Sequence, residues 1–175
     1  MRTLHRTVLT SLAVFGALAA ASCPASASST RTSTGHFPID DSFVVEPDST
    51  ICGFPITLDL TGQGTFSVLL DAHGDPIRAH VLERTTGMIS ANGISLQDVA
   101  SDNKIYDFRS GTVMEVGLVF RDFVPDAGVV IMDRGRLVWN FDFDTGETIG
   151  DPLFEAGPHP ELYGDIAPLC SALTP

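Results

Sequence analysis

Between residues 136 and 143 the chain alternates without a break. Leu137, Trp139, Phe141 and Phe143 point one way, and Arg136, Val138, Asn140 and Asp142 the other. A period of two is that of a strand with one buried face, and at ~3.3 Å per residue this run spans roughly 27 Å. Turn signals flank it: Asp133-Arg134-Gly135-Arg136 before, and Asp144-Thr145-Gly146-Glu147 after. In each, an Asp bonding back to the backbone and a Gly in the left-handed region would close a short hairpin. Upstream, Val129-Val130-Ile131-Met132 has the composition of a strand buried on both faces. The stretch predicts a β-meander.

The rest of the chain follows the same habit. Phe43, Val44 and Val45 form a short strand stopped by Glu46-Pro47-Asp48; residues 56–61 alternate, Gly62-Gln63-Gly64 turns the chain, and 65–70 runs back. Residues 71–76 are a turn and 77–85 a strand, and 87–96 predicts two short strands around the tight-turn dipeptide Asn92-Gly93. Residues 97–103 suit a helical turn or a loop. In 112–120, Met114, Val116, Leu118 and Phe120 share a face expected to pack on the Leu137–Phe143 row. Residues 124–128 turn the chain into the meander, and past Gly150 no strand is predicted. Asp165 is placed to cap a short helix over 166–173, with Pro168 tolerable only in its first turn. The sum is an all-β, antiparallel β-barrel or β-sandwich of about nine to eleven strands.

Composition changes this picture at the N-terminus. Arg2, His5 and Arg6 precede an apolar run over 8–21, then Ala25-Ser26-Ala27, the small-x-small pattern of signal-peptide cleavage. The run is too short to span a bilayer. Residues 1–27 are therefore a predicted signal peptide, 28–40 a flexible N-terminal segment rich in Ser and Thr, and 41–175 a single β domain. The expected location is extracellular. A lipoprotein signal at Cys23 is the alternative, although the usual Leu three residues earlier is missing. The chain has 22 acidic and 10 basic residues, a net charge of −12. Such a balance argues against nucleic acid or anionic lipid as a partner. A monomer without membrane attachment after cleavage is expected. Cys52 and Cys170, the two cysteines left after cleavage, are most simply a disulfide in an oxidising compartment.

Candidate chemistry is sparse. Asp144-Thr145-Gly146 matches the aspartic-protease tripeptide, but that chemistry needs a second Asp and an apolar lead-in, and Asp142 stands there instead. The tripeptide is expected to be a hairpin turn. Asp98, Asp102 and Asn103 are candidates for a weak calcium site. Of the histidines, His73 and His159 are expected to face solvent. His80 shares a strand face with Arg78 and Arg84, and this basic row on an acidic protein is the candidate binding surface for an anionic ligand or a partner's carboxylates. Asp59, Glu83 and Glu115 are strand carboxylates that could meet as a hydrolytic pair. No catalytic residue, cofactor or metal ligand is assigned.

Cys52-Gly53-Phe54-Pro55 with its following alternating strand, Gly135-Arg136-Leu137 with Asp142-Phe143-Asp144-Thr145-Gly146, and the segment 165–173 around Cys170 together resemble a group of secreted actinobacterial proteins of unknown function. The resemblance implies export, a disulfide and a β fold, and no activity. Two functional classes follow. The first is a secreted, non-catalytic β-scaffold protein that binds a small molecule or a protein partner. The second is an extracellular hydrolase using paired strand carboxylates.

Overall fold

Asn92 and Gly93 both have positive φ, 53° and 80°, the conformation of a two-residue hairpin turn whose twist matches that of its strands. The two strands it joins illustrate the whole fold. The computed structural model describes residues 30–45, 52–124, 128–160 and 162–175. In chain order the strands are β1 (Arg31–Val45), β2 (Ile56–Leu70), β3 (Pro76–Ala91), β4 (Ile94–Asp107), β5 (Thr112–Val124), β6 (Gly128–Asp142) and β7 (Glu147–Ala156), followed by helix α1 (Ala167–Ala172). They form one antiparallel sheet in the order β1-β2-β3-β4-β5-β6-β7. The sheet is open: its outer strands are β1 and β7. The expected signal peptide, the Cys23 alternative and the turns at 46–48 and 125–127 lie outside the described residues.

All-β and antiparallel hold, and among the described residues the strands number seven, against the nine to eleven expected. Stretches expected to be turns are strand interiors: Gly62-Gln63-Gly64 lies inside β2 and Asp133–Arg136 inside β6. Residues 97–103, expected as helix or loop, belong to β4. The glycines sit where the sheet bends instead of where the chain reverses. Gly117 and Gly135 face each other across β5 and β6 with φ of 133° and 141°, and a Cβ on either would run into a carbonyl of the next strand. Along β1, Phe37 lies over Gly64 and Phe66 over Gly35, each ring occupying the space of the missing side chain opposite. The segment expected to be flexible, 28–40, is mostly β1, which pairs with β2 from Arg31 to Val45. Its Ser and Thr need no core, because an edge strand is held by backbone hydrogen bonds and faces water.

One face carries the core. Ile56 and Leu58 of β2, Ile89 of β3, Leu96 of β4, Phe120 of β5 and Ile131 of β6 form one buried cluster with Leu169 and Leu173. At the other end of the strands, Val68, Ala79, Val81, Tyr106 and Val113 form a second, flanked by Trp139, Phe141 and Phe143. Among the described residues the only other element is a helix of six residues, so the sheet has to curl to shield this face. The Tyr106 and Phe141 rings show the curl: they lie 5.2 Å apart on strands separated by β5, where a flat sheet would hold them about 9–10 Å apart. Register shifts at Val99/Ser101, Leu118/Phe120 and Val138/Asn140 add local bends.

The expected meeting of the Met114–Phe120 and Leu137–Phe143 rows is overturned. Val113 and Glu115 face inward on β5, and Leu137 lies opposite Glu115. Phe120 reaches the core only because the shift at Leu118/Phe120 changes the phase of the strand. Of 129–132, Ile131 alone is buried, Val130 and Met132 are half-buried and Val129 is 55% exposed, so the run is not buried on both faces. The second Asp-x-Gly signal is a hairpin turn, and Asp142 is the residue that holds it: its carboxylate accepts from the backbone N–H of Asp144 at 2.9 Å and Thr145 at 3.3 Å. Those two donors hold the Asp142 carboxyl below the usual range. Beyond Gly150, β7 runs on to Ala156. The terminal helix forms as expected, with Pro168 in its first turn, but Ile166 stands at its N-cap and Asp165 makes no capping bond. Cys52 and Cys170 are bonded, their Cα atoms 5.2 Å apart, which ties the entry to β2 to the helix over the first cluster.

Candidate functional site

The alternation of β3 turns Ala79, Val81 and Ile89 toward the core and leaves Arg78, His80 and Arg84 exposed on the other face. The structure separates the three by partner. Arg78 donates to Asp107 at 3.4 Å, and His80 Nε2 lies 2.5 Å from Asn103 Oδ1 on β4. Arg84 makes no hydrogen bond or ion pair among the described residues. It borders a groove of about 510 Å³ across the middle of β2, β3 and β4, shared with Thr61, Gln63, Thr86, Val99 and Ser101. The groove exists because bulk is missing there. Gly62 and Ala100 line it, and Ala100 is the β4 residue that stands against both Val119 and Phe120 at the register shift between β4 and β5. Thr61 donates its hydroxyl to the Thr86 carbonyl at 3.3 Å, which leaves its oxygen able to accept. No carboxylate, histidine or cysteine lines this groove.

The carboxylates lie on the inner face, between the two apolar clusters. Lys104 Nζ is 2.9 Å from Asp102, 3.0 Å from Glu83 and 4.0 Å from Glu115, all four side chains being mostly buried. Register brings them together: Asp102 is opposite Glu83 and Lys104 opposite Glu115. Burial alone would depress the Lys104 ammonium; the fields of Asp102, Glu115 and Glu83 outweigh it and hold the group above the ordinary lysine range. One oxygen each of Glu83 and Asp102 is buried without a hydrogen-bond partner. Of the three strand carboxylates that could meet, Glu83 and Glu115 both reach Lys104. Asp59 is exposed and bonded to Ser42 instead.

Further along the same face, Asp98 and Asp122 are opposite each other in register and both buried. The candidate calcium trio Asp98, Asp102 and Asn103 does not converge, because Asn103 lies on the outer side with His80. Among the described residues no group of acids, histidines and cysteines is arranged to hold a metal ion. His159 overturns its expectation of facing solvent. It is 3% exposed, with Nδ1 2.8 Å from Asp133 Oδ1 and Nε2 3.3 Å from the Ala156 carbonyl. The Arg134 N–H, which donates to the Pro158 carbonyl, draws this segment against β6. The nearest signal in the sequence was the alternating phase of Asp133 with Leu137, which puts an acid on a buried face and calls for a partner.

Fold and surface together define an all-β protein with acids buried on the inner face of its sheet and, among the described residues, an exposed groove on the outer face. No family model matches the chain, and neither a curated protein nor a solved structure shows significant similarity to it.

Proposed function

We propose that the chain is a non-catalytic β-scaffold protein, exported and monomeric, that works by binding a small molecule in the groove beside Arg84. The observation that carries this reading is a division of labour between the two faces. The groove offers hydroxyls, an amide and one arginine, which are recognition groups, and has no lining group able to act as a general base. The resemblance to secreted actinobacterial proteins belongs to the same proposal. So does reading the curled sheet as an incomplete barrel, since a sandwich would need a second sheet to cover the apolar face.

The competing reading is a hydrolase that uses paired strand carboxylates. Its candidates are Glu83 and Glu115, which are held to one ammonium on the inner face, away from the groove. A panel of chromogenic glycosides and esters tests the choice. The binding reading expects no turnover above background with the wild-type chain. Turnover that Glu83→Gln or Glu115→Gln abolishes, in a variant still folded by circular dichroism, would replace it with the hydrolase.

A further inference from the structure

We infer that the groove takes a small polyhydroxylated molecule carrying one anionic group, a sugar acid or a sugar phosphate, with the Arg84 guanidinium seating the anion. This rests on the binding reading above and narrows it to a ligand class.

Arg84 is the only charged side chain lining the groove, and it has been left uncommitted in a chain with 22 acids and 10 lysines and arginines. Arg78 pairs with Asp107, and Arg121 and Arg136 lie over the Phe123 and Phe154 rings; Arg84 shares its lack of a side-chain partner with Arg31, Arg109 and Arg134 among the described residues and differs from them in lining the groove. An exposed guanidinium presents a planar fork of donors matched to carboxylate or phosphate oxygens. The remaining polar lining is neutral. Thr86 and Ser101 can each donate and accept, Thr61, with its proton given to the Thr86 carbonyl, accepts only, and Gln63 adds an amide with both capacities. Alternating donors and acceptors on three adjacent strands suit a ligand with several hydroxyls. A simple inorganic anion would use Arg84 and leave the others to water.

Size and field set the remaining limits. The groove is shallow and open to solvent, and its volume of about 510 Å³ suits a small polar ligand bound at the surface, whereas a protein partner needs roughly 800 Å² of contact on each side. Glu83, Asp98 and Asp102 lie behind the groove on the opposite face of β3 and β4. Their field, and the net charge of −12, penalise each added negative charge. One anionic group can be neutralised by Arg84, while a polyanion would carry further charges with no cation to meet them.

Isothermal titration of the full chain with D-glucuronate, glucose 6-phosphate and glucose tests the inference, with amide chemical-shift mapping to locate binding. The expected result is binding of one or both anionic sugars at millimolar or better affinity, weaker binding of glucose, and shifts concentrated at residues of β2, β3 and β4 around Arg84. Glucuronate alone would identify a sugar acid, and glucose 6-phosphate alone a sugar phosphate. Arg84→Gln should weaken the anionic sugars by roughly 10- to 100-fold, the loss of one charged hydrogen-bonding group. Arg78→Gln, outside the groove, should leave them unchanged. Equal binding of glucose, an Arg84→Gln variant that binds like wild type, or shifts away from the groove would overturn the inference. So would failure of both anionic sugars to bind. A co-purified ligand of another class, found with the same chain by mass spectrometry, would then sink this inference while leaving the binding reading standing.

Discussion

Replacing Lys104 with Met removes the one cation from three carboxylates and keeps most of the side-chain volume. Each contact at about 3 Å is worth ~5 kcal/mol gross at an effective dielectric of 20, and two partners lie at 2.9 and 3.0 Å. Desolvation and repulsion among the acids consume much of that. Breaking a buried pair by deleting one partner typically leaves a net cost of about 3–5 kcal/mol. Against a total stability of ~5–15 kcal/mol this is a large fraction. With a urea slope of about 2 kcal/mol/M it moves the midpoint down by about 2 M. Trp139, the only tryptophan, sits beside the second apolar cluster and reports the transition. The pH dependence has a definite sign. In the wild type the Lys104 pKa is raised, so its contribution is complete below the unfolded value of about 10.4 and is lost as pH rises through the folded one. Between pH 6 and pH 9 it is therefore constant. In the variant, buried acids without their cation take up protons more readily folded than unfolded, so its stability recovers as pH falls and the gap to wild type narrows toward pH ~5. A midpoint shift under about 0.3 M at pH 7, below ~1 kcal/mol at that slope, would refute the reasoning. So would a gap that widens on acidification.

Three further outcomes follow from the scaffold. Cys52→Ser with Cys170→Ser opens a loop of 118 residues and should cost about 4–5 kcal/mol on the chain-entropy model, read as a lower Tm by calorimetry; an unchanged Tm contradicts it. Gly135→Ala places a Cβ at φ 141° against the Ala156 carbonyl, and should cost at least about 1–3 kcal/mol of backbone strain in a urea titration. Leu173→Ala empties a fully buried position between α1 and the sheet, with an expected loss of about 2–5 kcal/mol and faster amide exchange across α1.

Local signals in the sequence were legible where one residue decides the conformation. Asn92-Gly93 sets a hairpin, Pro168 starts a helix and Leu137 marks a buried face. Glycine was ambiguous, because the same freedom serves a reversal at Gly146 and a bend inside β6 at Gly135. β1 was illegible for the opposite reason: its pairing uses backbone groups, which every residue carries, and its polar side chains give no apolar alternation. The exposed row Arg78, His80 and Arg84 was readable from strand phase alone, but which member stays uncommitted depends on Asp107 and Asn103 of the neighbouring strand. The inner acids were hidden more deeply. A strand with Asp98, Asp102 and Lys104 on one face looks solvated until register brings Glu83 and Glu115 alongside. That register depends on shifts such as Val99/Ser101, which leave no mark in the sequence.

Native mass spectrometry of the full chain purified from its own host, run beside Arg84→Gln prepared identically, addresses the binding claim most directly. The account predicts a wild-type mass carrying a small non-covalent adduct, released on denaturation and reduced or absent in the variant. An adduct equally abundant in both would place the ligand away from the groove. A bare mass in both, together with turnover of a hydrolase substrate, would contradict the account.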